Sequence, residues 1–296
     1  MAATLATSRQ TRDPHVDILT IEPDDVPSLR LPGGRSTLAL RQDIKRYPGR
    51  SVWAPATLEF AIVGPWRNRL EIACVTELNA VRHAEPLLRA AFERCAIHGD
   101  ELFLALELET QRSPTRYELA GMDLMEEVIT YEMQTPRETS STRPTMRLAT
   151  VHAQDERAIV AVTRIDRAAF PWLWRNSRAE FDAYLCTPGV EVGLVYAADE
   201  PVAYFGITHF AGWGHLDRIA VLPERQGNGI GLETLRLAVD AIRRRGARRI
   251  GLSTQQTNRH SQRLYERFGF HRTFENDYRL YGRWTDPGRQ GGLHLG

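Results

Sequence analysis

The chain is predicted to be a mixed α+β protein made of two consecutive bodies of one kind. Each is a mostly antiparallel twisted sheet flanked by helices, and the first copy is partial. Three observations carry this prediction. Apolar residues recur with period two in one set of segments and near 3.6 in another. A polar, proline-bearing stretch from Gln134 to Thr145 divides the chain. On either side of it, Ala73-Cys-Val-Thr-Glu-Leu78 and Ile219-Ala-Val-Leu-Pro-Glu224 align as a weak internal repeat.

The elements follow in order. Residues 1–35 hold Pro14, Pro23, Pro27, Pro32, Gly33 and Gly34 without a sustained apolar period, which predicts a poorly ordered arm. In the first body (36–134), strands are expected over Leu70–Thr76, Glu101–Leu108 and Glu127–Met133, with a helix over Pro86–Cys95 and a helical turn over Tyr117–Gly121. A linker spans 135–145. In the second body (146–284), Ser177-Arg-Ala-Glu180 is a capping box that opens a helix stopped at Pro188-Gly189. Val192–Tyr196 and Val202–Thr208 form a hairpin, and Leu216–Leu222 is a strand ended by Pro223. Leu232, Leu235, Val239 and Ile242 share one helical stripe that Gly246 ends. A strand over Arg248–Ser253, a short helix carrying Leu264, Tyr265 and Phe268, and a strand over Tyr278–Trp284 complete it. Residues 285–296 read as a flexible tail.

Composition narrows the function. The 296 residues carry 38 Lys plus Arg against 37 Asp plus Glu, a net charge of +1, so the basic excess of a nucleic-acid or membrane-surface binder is missing. No apolar run approaches the about 18–20 residues of a membrane span, and residues 1–20 lack the apolar core of a secretory signal. Cys74, Cys95 and Cys186 are odd in number and without a Cys-x-x-Cys pair, which argues against a disulfide framework or a zinc site. A cytoplasmic protein without a metal, nucleic-acid or membrane partner is expected; monomer and homodimer are both compatible.

One turn carries chemistry. Gln226-Gly227-Asn228-Gly229-Ile230-Gly231 follows a strand and opens a helix. Glycines let successive backbone N–H groups face one point, and the helix N-terminus adds partial positive charge there, which suits a pyrophosphate. A dinucleotide fingerprint read from Gly227 would need glycine where Leu232 stands, and a P-loop would need a Gly-Lys-Ser/Thr run that is missing. Between Leu78 and Leu87 the first body has no such glycines, so no anion cradle is expected there.

With a second run, Asn258-Arg-His-Ser-Gln-Arg-Leu264-Tyr265-Glu-Arg-Phe-Gly269-Phe270, this turn resembles the GNAT superfamily of acetyl-CoA-dependent N-acetyltransferases. The resemblance covers 146–284 well and 36–134 faintly, so it implies a catalytic GNAT domain behind a degenerate GNAT-like one. It implies that Ile219, Ala220 and Val221 pair with the pantetheine arm like an added strand. Gln226, Gly227, Asn228, Gly229, Ile230, Gly231 and Leu232 would hold the pyrophosphate. Asn258 would bond the pantetheine, and Tyr265 would protonate the leaving thiolate.

The general base is less visible. Related ribosomal-protein acetyltransferases have a glutamate five residues before the motif asparagine; here that position is Ser253. By period-two alternation Asp217 shares a face with Ile219 and Val221, making it the candidate base, against the plainer and slightly preferred reading of an exposed or salt-bridged aspartate near Arg218. His209 and His215 are further candidates. Phe170, Trp172 and Trp174 either line an acceptor pocket or pack in the core. The arginines at 243–245, 248 and 249 suit a helix C-terminus. The expected activity is transfer of acetyl from acetyl-CoA to a primary amine of a small molecule or peptide; the alternative is a CoA-binding sensor or scaffold without turnover.

Overall fold

Each half of the chain lays down its elements in the same order. The first gives β1 (Leu19–Thr20), α1 (Thr37–Arg46), β2 (Val52–Ala54), β3 (Glu59–Trp66), β4 (Arg69–Asn79), α2 (Ala84–Ile97), β5 (Leu102–Leu108), α3 (Pro114–Leu119) and β6 (Asp123–Gln134). The second gives β7 (Met146–Val151), α4 (Glu156–Ala169), α5 (Arg178–Leu185), β8 (Val190–Ala197), β9 (Glu200–Phe210), β10 (Trp213–Val221), α6 (Ile230–Arg244), β11 (Arg249–Gln255), α7 (Arg259–Phe268) and β12 (His271–Trp284). The computed structural model describes residues 16–31, 33–108, 114–134 and 146–289. The predicted 135–145 linker, and most of the predicted tail, lie outside these residues. The first copy has a full set of strands; its early part, β1 to β3, is where the sequence repeat is too weak to register. What sets the copies apart is one helix fewer and a shorter turn before the crossover helix, residues 80–83 against residues 222–229.

The strands form one twelve-stranded sheet in the order β1-β2-β3-β4-β5-β12-β6-β11-β10-β9-β8-β7. Among the described residues, parallel pairing is confined to β4 with β5 and β10 with β11, each pair joined by a crossover helix, α2 or α6. The two halves exchange their last strands. β6 runs along β11 from Arg249↔Gln134 to Gln255↔Val128, while β12 inserts between β5 and β6. The predicted boundary at 135–145 therefore does not separate two self-contained sheets. β12 also starts earlier than expected, at His271, with an irregularity between Thr273 and Tyr278.

The predicted arm needs correction as well. Residues 16–31 pair with β2 through β1 and bury Ile21, Val26 and Leu29 against Leu40, Ile44 and Phe60. Turns and Pro27 space these apolar residues irregularly, so no period marks them. On the predicted α6 stripe, Leu235, Val239 and Ile242 are buried together with Ala238, whereas Leu232 is 40% exposed and faces away. Ser177 caps α5, its hydroxyl accepting from Glu180 N at 3.0 Å, while the Glu180 carboxylate accepts from Asn68 Nδ2, so only the serine half of the predicted capping box is shown. Cys74 and Cys95 are buried free thiols and Cys186 is an exposed one.

The 80–83 turn is organised by a carboxylate. Glu59 accepts from Val81 N at 2.6 Å and Arg82 N at 2.8 Å, and contacts the His83 ring. Burial alone would raise the Glu59 carboxyl, but these donors outweigh it and hold it at about 2 against an ordinary 4.5. A folded pKa below the unfolded one gives stability that is present above 4.5 and lost as pH falls through about 2. Glu59→Gln should therefore unfold at lower urea concentration than wild type at pH 7, and the two curves should converge as the pH is lowered towards 2.

Candidate active site

The turn into α6 is built by backbone dihedrals that only glycine adopts cheaply. Gly227 and Gly229 both sit at φ +76°, and Gly229 is the N-cap of α6 with no side-chain cap. The first helical turn therefore starts without a side-chain acceptor for its N–H groups. Gln226 braces the turn by donating Nε2 to Val221 O at 3.0 Å. A Cβ on Gly227 would meet nothing within 4 Å, and one on Gly231 would meet only Leu264 Cδ2 at 3.7 Å and Val221 Cγ2 at 3.8 Å. Such an open floor over a bare helix start fits a pyrophosphate.

Both glycines border a cavity of about 420 Å³ that runs along Ile219, Ala220 and Val221 to Asn258, Leu264 and Tyr265. Most predicted positions thus come together. Asn258 N-caps α7, its Oδ1 accepting from Ser261 N at 3.1 Å. The remaining turn residues differ in what their side chains do. Ile230 packs in the core beneath α6, Asn228 is exposed and donates to Gln226 O, and Leu232 lies on the outer face. Of these three, only the backbone can serve a ligand in the turn.

Tyr265 is buried, with Tyr131 and Phe270 around its ring at centroid distances of 6.2 and 6.1 Å. Burial pushes its phenol up to about 12, against a smaller opposing contribution from the Ser261 hydroxyl. It stays protonated at neutral pH. A second, smaller cavity of about 90 Å³ meets the first at Phe170, Ile219, Asn258, Ser261 and Tyr265. Tyr265 therefore stands where the two spaces join.

The second cavity is where sequence reasoning needs correction. β10 carries a bulge: Leu216 pairs with Ile207 and Arg218 with Gly206, leaving Asp217 without an opposite residue. The bulge breaks the period-two alternation. Ile219 and Val221 pack towards α6, whereas Asp217 turns to the opposite side and accepts from Tyr184 Oη, Thr208 Oγ1 at 2.6 Å and His215 Nδ1 at 2.7 Å. Asp217 still borders the second cavity, but beside Arg218 rather than on the face of Ile219. It does not pair with Arg218, which is buried against Asp166, Tyr204 Oη and Trp174 O and lies 3.9 Å from the Phe170 ring centroid. His209 faces Gly189 O at 3.1 Å, away from this cluster. Ser253 borders the second cavity next to Tyr278.

Phe170 and Trp174 line the second cavity, while Trp172 packs on Trp284 instead. Of the arginines after α6, Arg245 pairs with Glu191 and Arg249 with Glu132. Sequence reasoning missed Arg67 and Tyr278, which reach the second cavity from β3–β4 and β12, and Glu126 of β6, which borders the larger one. No local signal marks them: exchange of the last strands brings β6 and β12 to the site, and contacts more than 100 residues away hold the β3–β4 turn that carries Arg67. Among the described residues, no group of three or more His, Cys, Asp or Glu is placed to hold a metal, and no helix is long and apolar enough to cross a membrane.

Comparison with known proteins bears on this geometry. Residues 159–270 match the model of the acetyltransferase (GNAT) family. N-alpha-acetyltransferase 30 of Schizosaccharomyces pombe is 34% identical over 76 residues, which are 26% of this chain and 50% of that relative. The match thus spans about half the relative's length. Among solved structures, a GCN5-related N-acetyltransferase from Sphaerobacter thermophilus superposes with a TM-score of 0.62 at 18% identity, covering 92% of this chain and 96% of that one. A tandem GNAT protein from the clavulanic acid biosynthesis pathway gives 0.60 at 12% identity, covering 92% and 99%. At these identities the likeness is one of fold, and it extends over both halves.

Proposed function

We propose, from the GNAT acetyltransferase domain that residues 159–270 form, that this chain moves an acetyl group from acetyl-CoA to a primary amine of a small molecule or peptide. The observation that supports it most is the junction of two cavities at Tyr265, one floored by the glycine turn and the other closed by the first half of the chain. Backbone N–H groups from Gly227 to Leu232 hold the pyrophosphate, and the edge of β10 at Ile219–Val221 aligns the pantetheine arm. A neutral amine in the smaller cavity attacks the thioester carbonyl. The C–N bond forms, backbone donors stabilise the oxyanion, and the C–S bond breaks. Tyr265 gives its proton to the departing sulfur. The burial that raises the phenol raises a thiolate in the same space, since both would be anions there. The amine's proton passes to Asp217, directly or through water, with His215, Thr208 and Tyr184 holding that carboxylate in place.

A second reading, a CoA-binding sensor or scaffold, draws on Ser253, which supplies no carboxylate on β11. Thiol release from acetyl-CoA with a panel of amines separates the two. The enzyme reading expects amine-dependent release that falls by about 10²–10⁴ in Tyr265→Phe while acetyl-CoA still binds. Binding without release on any amine would favour the sensor. A cytoplasmic setting and a metal-free reaction belong to the same proposal.

A further inference from the structure

The smaller cavity has a cationic wall that comes from the first half of the chain. β3 and β4 are joined by a two-residue turn in which Trp66 pairs with Arg69. Its central residues, Arg67 and Asn68, both take left-handed dihedrals, φ +53° and +52°. Such turns match the twist of a hairpin but favour asparagine and glycine, so an arginine at the first position holds backbone strain of order 1 kcal/mol. Tertiary contacts hold it there. Trp66 donates Nε1 to Leu173 O at 2.8 Å, Ser177 Oγ donates to Arg67 O at 3.0 Å, and Asn68 reaches Glu180. The hairpin tip is thereby fastened to the segment before α5 and to the first turn of α5.

The guanidinium that this arrangement delivers is incompletely satisfied. Arg67 donates Nη1 to Asn176 Oδ1 at 2.8 Å and lies between the rings of Trp66 and Trp174, 5.3 and 5.1 Å from their centroids. Its Nε is buried and has no hydrogen-bond partner among the described residues. The acids nearest to it are occupied: Asp166 by Arg218, Tyr204 and Asn176 N, and Glu180 by Asn68. Burial and the neighbouring Arg218 lower the Arg67 guanidinium to about 10, so it remains cationic at neutral pH. A buried donor on a cation is costly to leave unmade, and an arginine fork suits a planar carboxylate.

Resting on the acetyl-transfer reading above, we propose that Arg67 is the anion subsite of the acceptor, which is a small amine bearing a carboxylate. Its carboxylate is held by Arg67 and the Tyr278 hydroxyl, while its amine lies at the Asp217 and Tyr265 end. Size agrees with charge: one water takes roughly 10–15 Å³ of space measured this way, so about 90 Å³ admits a group of several heavy atoms and not a folded peptide. The first half of the chain, which has no glycine turn, then acts as the specificity element for the second.

Matched pairs test this, each a small amino acid such as β-alanine and the amine left when its carboxylate is removed. Binding is read by calorimetry on CoA-saturated protein, and turnover by thiol release from acetyl-CoA. The carboxylate-bearing member should bind and react about tenfold or more better in the wild type. That ratio should collapse in Arg67→Gln and survive in part in Arg67→Lys, which keeps the charge, with acetyl-CoA affinity retained in both. Equal behaviour of the two members in wild type, or an unchanged ratio in Arg67→Gln, overturns the subsite. Absence of release with every amine while the carboxylate preference persists in binding would instead overturn acetyl transfer and leave the subsite standing.

Discussion

Gly231→Val should lose acetyl-CoA affinity by roughly a hundredfold, and Gly231→Ala by roughly tenfold, without loss of the fold. Gly231 lies in the first turn of α6 at an ordinary helical dihedral and borders the larger cavity. An added Cβ meets its nearest neighbours at 3.7 and 3.8 Å, which is normal contact, so the protein accepts it. Alanine in a helix is, if anything, about 0.5–1 kcal/mol more favourable than glycine. What the methyl removes is close approach of a charged ligand to the main-chain N–H groups. Gly227 and Gly229 are poorer probes, because at φ +76° any side chain adds backbone strain to the loss of binding. Calorimetry and thermal unfolding on the same samples check this: the alanine variant should melt no lower than wild type yet bind more weakly. Wild-type affinity in the valine variant would take the pyrophosphate away from this turn.

The largest loss of stability is expected at Asp166. Its carboxylate is fully buried and accepts from Arg218, Tyr204 Oη and Asn176 N, the last at 2.8 Å. Arg218 is itself only 7% exposed. Asp166→Ala leaves a guanidinium in a low-dielectric interior with no opposing charge, which typically costs about 3–5 kcal/mol. An apolar pair of similar volume, Asp166→Leu with Arg218→Met, should recover most of that, because it removes the desolvated charge as well as its partner. Urea unfolding of the single and double variants checks the sign and size of the coupling. A loss below about 1 kcal/mol in Asp166→Ala would mean the pair behaves as an exposed one. The bridge also ties α4 to the bulged part of β10, so the single variant should disturb the wall of the smaller cavity.

Legibility in the sequence followed the range of the interaction responsible. Gly227, Gly229 and Gly231 are readable because each answers to its own dihedral or to one neighbouring turn. Alternation found the β8–β9 hairpin for the same reason. Asn258 is legible only through the resemblance of its run to a known family; its bond to Ser261 N, which caps the helix, is what the structure adds. Alternation failed at Asp217, where one extra residue in β10 sends two successive side chains to one side. It also could not find the short strand and turns of residues 16–31, whose buried apolar residues follow turns rather than a period.

The sequence by itself determined the kind of fold, the glycine-floored turn, and the Asn258 and Tyr265 helix beside it, all set by contacts between residues a few positions apart. Only the tertiary structure decided that β12 inserts between β5 and β6, that β6 completes the sheet beside β11, and that Arg67 enters the smaller cavity. A strand's backbone hydrogen bonds are alike for any partner of the same alternation. Its neighbour is therefore chosen by how distant apolar faces and buried charges fit together, and that information is not held in any single stretch of chain.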